Sequence, residues 1–187
     1  MSKPIDEAKI LILASDGFEY SELIEPRDRL IELGASVTLA APSTDPITGE
    51  SGGETKGDIT PDTTLDTPDA GDYDALLLPG GQRNPDNLRI EKDAIALVKA
   101  FADQGKPIAA ICHAPWLLVE ADLLRGRTAT SWPSLRTDLR NAGANVVDRE
   151  VAIDGNIITS RNPDDIPAFT QALVDAIENS DKTAEAA

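Results

Sequence analysis

Four short apolar runs constrain this chain more than anything else in it: KILILA at 9–14, SVTLAA at 36–41, ALLL at 75–78 and PIAAI at 107–111. Each is too short for a helix and shows little polar alternation, the pattern of a strand covered on both faces in a parallel sheet. The stretches between them change period. Leu23, Ile24, Leu30, Ile31 and Leu33 recur near helical spacing over 21–33, and Gly34 is placed to close that helix. A second helix is predicted over 88–103, with Ile90, Ala94, Leu97, Val98 and Phe101 on its apolar side. Others are predicted over 115–124, 133–142 and 163–179, the last capped by Asn162. Strands alternating with helices imply a mostly parallel sheet with helices on both faces. The expected fold class is therefore α/β, a single domain of the flavodoxin-like kind.

From Pro42 to Asp72 the chain is rich in Thr, Asp, Gly and Pro, and its short alternating pieces predict a hairpin-like insertion. Short strands are expected at 128–131, 146–147, 151–153 and 157–160, the last two joined by Asp154-Gly155-Asn156, a hairpin signal. There is no internal repeat and no sign of a second domain. The expected organisation is a lead over 1–8, one α/β domain over 9–179 and a frayed polar tail over 180–187.

Composition narrows the function classes. At 187 residues with 41% hydrophobic content, the chain can bury one continuous core. Its 17 Lys and Arg stand against 33 Asp and Glu, a formal charge of −16, which argues against nucleic acid as a partner. The same excess of acids fits adaptation to high salt, where dense counterions screen the self-repulsion. No run approaches the roughly 20 apolar residues of a membrane span, so no membrane partner is expected. The amino terminus has no apolar signal core, and a lone cysteine forms no internal disulfide; a cytoplasmic location is the expectation. No cluster has convincing metal-ligand spacing, and no metal or other cofactor is expected.

Ligands of such sheets bind at the carboxyl ends of the strands. Three loops belong there: 15–22, 79–87 and 112–115. In Ala110-Ile111-Cys112-His113-Ala114 a buried strand gives way to a helix, with small residues two before and two after the cysteine. That is the spacing of a nucleophile elbow, in which a sharp turn lifts one side chain clear of the sheet. The helix start beside the sulfur favours its thiolate, and the His113 N–H is free to face an oxyanion. Pro79-Gly80-Gly81 ends the preceding strand and brings bare backbone amides toward the same place.

The segments ASDGFEYSELIEPRDRL, DALLLPGG, AAICHAPWLL, LLRGRTATSWPSLRTDLRNAGANVVD and VAIDGNIITSRNP together resemble the PfpI family, within the class I glutamine amidotransferase-like superfamily. The similarity runs from about Lys9 to Glu178. It implies that Glu19, in Phe-Glu-x-x-Glu-Leu, contacts the cysteine sulfur as a carboxyl with a raised pKa, whereas Glu22 and Glu25 simply favour the helix start. It places His113 in the site, although adjacent residues on a turn point apart. It gives His113 a carboxylate partner from a neighbouring subunit, which falls on Asp86; the cap of the following helix is the equal alternative for that residue. Gly80 and Gly81 would form one side of the oxyanion site. Trp116 and Trp132 read as packing residues near the site, and Arg161 as either a pocket residue or an exposed salt bridge.

The resemblance implies a cysteine-dependent enzyme acting on a small-molecule or peptide substrate. It also implies a homo-oligomer, a dimer or a larger ring such as a hexamer. Three readings share the same residues. One is a hydrolase or intracellular peptidase, in which Glu19 assists Cys112. Another is a glyoxalase or deglycase acting on methylglyoxal or glycated amino groups. The third is a redox sensor or chaperone that works by oxidation of Cys112. Glutamine amidotransfer fits poorly, because the only histidine is His113.

Overall fold

The computed structural model describes residues 3–179; the tail expected over 180–187 lies outside the described residues. In chain order the elements are β1 (Lys9–Leu13), β2 (Phe18–Glu19), α1 (Tyr20–Glu32), β3 (Ser36–Ala41), β4 (Ile47–Ser51), β5 (Glu54–Ile59) and β6 (Thr63–Thr64). There follow β7 (Ala75–Leu78), α2 (Arg83–Leu88), α3 (Lys92–Asp103), β8 (Ile108–Ile111), α4 (Pro115–Glu120) and β9 (Thr128–Ala129). The last are α5 (Arg136–Asn141), β10 (Asn145–Val146), β11 (Val151–Asp154), β12 (Ile157–Ser160) and α6 (Ile166–Glu178).

The main sheet has seven strands in the order β11-β12-β8-β7-β1-β3-β6. All its pairings are parallel except the β11–β12 hairpin. The protein is thus a single-domain α/β molecule with a mostly parallel sheet. Its central strands are apolar on both sides because both sides are covered. Ile10, Ile12, Leu77 and Ala109 pack with Leu23 and Leu30 of α1 and Phe169 and Leu173 of α6. Leu11, Leu13, Leu76 and Ile108 pack on the other face with Leu97, Val98 and Phe101 of α3 and Leu117 and Leu118 of α4.

The expected insertion is present as the β4–β5 hairpin, which adds β2 as a parallel neighbour to form a small second sheet. The helix expected over 88–103 starts later, as α3 at Lys92, and Leu88 ends a separate short helix, α2, that lies before it. The break leaves Ile90 80% exposed, so the residue assigned to an apolar stripe lies outside the core. Asn162 does cap the final helical segment, its side chain accepting from the Asp164 N–H at 3.0 Å.

Strand order places β7 and β8 side by side, with β1 next to β7. Their carboxyl ends therefore bring together the 15–22, 79–87 and 112–115 loops.

Candidate active site

Cys112 follows directly on β8 and has φ 63°. A residue with a side chain pays about 1–3 kcal/mol for such left-handed backbone, so the surroundings must hold it there. They do so from both sides. The Cys112 N–H donates to the Ser160 carbonyl at 3.0 Å, and the Trp132 N–H donates to the Cys112 carbonyl at 2.9 Å. Ala110 and Ala114, both fully buried, leave room for the turn.

The carboxyl that meets the thiol is that of Glu22, which corrects the assignment to Glu19. Glu22, Pro26 and Leu30 form one i, i+4 row on the inner face of α1, all buried, and Glu22 is the member that reaches the carboxyl end of the sheet. Its Oε2 accepts the Gly80 N–H at 2.9 Å. The carboxyl also touches the Cys112 side chain, while Oε1 has no hydrogen-bond partner of good geometry. Glu19 precedes the helix on β2, half-buried, and its Oε1 accepts the Ser21 hydroxyl at 3.3 Å. It acts on the site at one remove. Burial, and after it the negative charge of Glu19, push the Glu22 carboxyl up to about 8. At neutral pH it is an uncharged acid.

Burial likewise pushes the Cys112 thiol well above its ordinary value, followed by the negative charge of Glu22. The amides of Gly81 and His113 pull it down, but the thiolate-favouring effect expected of the helix start is outweighed. Protonation of Glu22 removes the opposing charge and leaves an O–H beside the sulfur. The two groups therefore form one coupled pair that holds a single negative charge more readily than two.

The two loop glycines have different tasks. The Gly80 N–H is already used by Glu22, so Gly80 is not the free oxyanion donor expected of it. The Gly81 and His113 amides are the two that face the sulfur. His113 does not point away: its Nδ1 lies 3.1 Å from Cys112 Sγ. Burial lowers its pKa, keeping the ring neutral near pH 7. Trp132 stacks on the imidazole at 5.8 Å between centroids and Trp116 meets it edge-on at 5.6 Å, so both tryptophans line the histidine.

Asp86 lies exposed in the first turn of α2, where it caps neither α2 nor α3, and it forms no hydrogen bond with His113 of its own chain among the described residues. Arg161 is bound by Asp165 through Nε at 2.8 Å and Nη2 at 2.9 Å, and by Asp148 at 3.0 Å, which is the salt-bridge reading of that residue. A recess of about 580 Å³ runs between α6 and the β11–β12 hairpin, but no residue of the cysteine loop lines it. Among the described residues no group of three or more His, Cys, Asp or Glu side chains is disposed to hold a metal ion.

The chain that carries this site matches the model of the DJ-1/PfpI family over residues 8–176. The chain belongs to that family. It is 42% identical to a deglycase of Thermococcus kodakarensis, a match that covers 89% of this chain and 97% of the relative. It is 40% identical to a putative cysteine protease, YraA, of Bacillus subtilis, covering 91% of this chain and 98% of that one. Among solved structures it is similar to DJ-1beta of Drosophila melanogaster, with a TM-score of 0.83, 31% identity, and coverage of 99% and 95% of the two chains. With these relatives and this site, the chain is an enzyme. No helix among the described residues is long and apolar enough to cross a membrane.

Proposed function

We propose that this enzyme is a deglycase, acting on adducts of methylglyoxal with amino groups and on methylglyoxal itself. The observation that carries the reading is the contact of Cys112 with a carboxyl that is uncharged at pH 7. On methylglyoxal itself the sulfur attacks the aldehyde carbonyl, and the developing oxyanion meets the Gly81 and His113 amides. On an amine adduct, whose carbon is already tetrahedral, the C–N bond breaks as the C–S bond forms and the amine leaves with a proton, so that both routes reach the same hemithioacetal. The carbon skeleton then needs a proton moved between two neighbouring carbons to reach a thioester, and Glu22 is placed to give and take it. Water releases the hydroxy acid and restores the thiol. One water is consumed overall and no external oxidant is needed. His113, neutral and 3.1 Å from the sulfur, can accept the thiol proton as attack begins.

Peptide hydrolysis remains the second reading, supported by the name of the Bacillus relative. Cys112 is only 5% exposed, which favours a small carbonyl carbon over a polypeptide segment. A homo-oligomer in which Asp86 of a neighbouring copy reaches His113 belongs to the same proposal, supported by the exposure of Asp86.

The test is turnover of methylglyoxal, a methylglyoxal-modified lysine derivative and a peptide by the wild type and by Cys112→Ser. Release of lactate and free amine, abolished by the substitution, is expected. Cysteine-dependent peptide cleavage without lactate release would overturn the deglycase reading in favour of the peptidase.

A further inference from the structure

Asn84 has no role in the site as described so far, yet it is fully buried. Every polar atom of its side chain is used. Its Oδ1 accepts the Ser15 N–H at 2.7 Å, and its Nδ2 donates to the Pro79 carbonyl at 2.8 Å and the Gly80 carbonyl at 3.0 Å. One side chain therefore ties the loop after β1 to the loop after β7. The Gly80 carbonyl receives a second bond, from the Glu19 N–H at 3.2 Å.

The consequence follows from peptide geometry. No cis peptide bond is present among the described residues, and in a trans peptide the C=O and the following N–H point in opposite directions. Holding the Gly80 carbonyl against Asn84 and Glu19 turns the Gly81 N–H the other way, toward the Cys112 sulfur. Nothing in the glycines themselves enforces that choice. Neither carries a Cβ, and Gly81 has φ 84°, a region glycine enters and leaves easily. A flipped peptide would present a carbonyl oxygen to the sulfur and repel an oxyanion.

We propose that Asn84 is a positioning residue for the oxyanion site, locking the Gly80–Gly81 peptide so that its N–H faces Cys112. The inference rests on the reading of the Gly81 amide as an oxyanion donor. Asn84 acts through that amide and touches no reacting atom.

Asn84→Asp tests it, because aspartate keeps an oxygen for the Ser15 N–H and replaces the Nδ2 donor with an oxygen that repels both carbonyls. Two quantities are measured on the full chain: kcat and KM for methylglyoxal, and the pH dependence of Cys112 alkylation by iodoacetamide. Loss of one oxyanion donor predicts a fall in kcat of about 100-fold with KM little changed. The alkylation profile is expected to move to higher pH, since an amide that favours the thiolate is lost. Because the aspartate charge would by itself disfavour the thiolate, the uncharged Asn84→Ser, which keeps one hydroxyl donor, decides the matter: its profile is expected to shift in the same direction by less. A merely structural tie would lower the melting temperature of Asn84→Ser but leave its alkylation profile where the wild type's is, and that result overturns the proposal. A wild type that turns over no methylglyoxal would sink the deglycase reading, while the alkylation profiles would still decide the role of Asn84.

Discussion

The carboxyl end of the sheet and the outer surface of this protein use polar groups in opposite ways. At the sheet end two fully buried groups hold the loops together: Glu22 through the Gly80 amide and beside the thiol, and Asn84 through bonds to two loops. Outside, acids outnumber bases by 33 to 17, and many ion pairs stand in water. Arg29 and Glu32 pair at 3.3 Å with 56% and 68% of their side chains exposed, and Arg125 and Asp122 at 3.2 Å with 72% and 70%. The difference teaches that desolvation, rather than the number of charges, sets what a charged group can do. One buried carboxyl has its protonation state reversed at neutral pH, whereas exposed pairs contribute about 0–1 kcal/mol each.

Glu22→Gln breaks the comparison most severely, because it removes the buried ionisation and keeps the shape. In the unfolded chain Glu22 ionises near 4.5, and in the folded protein near 8. Between those values the native state holds a proton that the unfolded state has lost, so stability falls as pH rises through the window. At about 1.4 kcal/mol per pH unit, the loss reaches up to about 5 kcal/mol above pH 8. Glutamine escapes it. The variant should therefore melt at a higher temperature than wild type at pH 9 and converge with it below pH 4.5, while its turnover falls by roughly 10²–10⁴-fold. Wild-type turnover should itself decline as pH rises through about 8. Equal melting temperatures at pH 9 would show that Glu22 carries no such burden.

Gly80→Ala sharpens the same contrast on a smaller scale. An added Cβ would run into the Glu22 carboxyl and come within 2.6 Å of Cys112 Cβ and 2.8 Å of the Ile111 carbonyl oxygen. The last is backbone in a buried strand and has nowhere to go. Overpacking of this kind costs about 1–3 kcal/mol, and the displaced loop should weaken turnover more than a surface substitution ever does. Thermal melting and kcat measured together check it; a variant with wild-type values for both would mean that the loop is looser than its contacts imply.

Much of the fold was legible because burial on both faces leaves a plain trace. The strands at 36–41, 75–78 and 157–160 have the bounds read from their apolar runs. Ile90 fits the period of a helix over 88–103, but no apolar stripe reveals that the chain turns there and leaves that residue in water. The elbow was legible from its small neighbours. The acid is harder to read than the elbow, although the sequence carries a signal: Glu22 stands four residues before Pro26 and eight before Leu30, in a row that faces inward. A carboxylate in that row reads as an exception to the apolar pattern, and here the exception is the group that meets the thiol. Asn84 left no trace at all, since its meaning lies in contacts with residues 4, 5 and 69 positions away. That Gly80 spends its amide on Glu22 and Gly81 does not is likewise a fact of peptide orientation, which residue types do not encode.

The smallest effect is expected where the charges are most numerous. Glu32→Gln removes one partner of an exposed i, i+3 pair and should change stability by less than about 0.5 kcal/mol. It also reduces a net charge of −16 by one, so part of even that small loss is returned as weaker repulsion. The collective field is a different matter. Added salt shortens the screening length from about 10 Å at 0.1 M to about 3 Å at 1 M, which weakens repulsion among exposed carboxylates while leaving the buried Glu22 almost untouched. The unfolding midpoint of the wild type should rise with sodium chloride over that range, and the pH at which turnover declines should stay near 8. If salt moved the pH limb as much as the midpoint, Glu22 would have to be sensing the solvent, and the division between a dry site and a wet acidic exterior would fail.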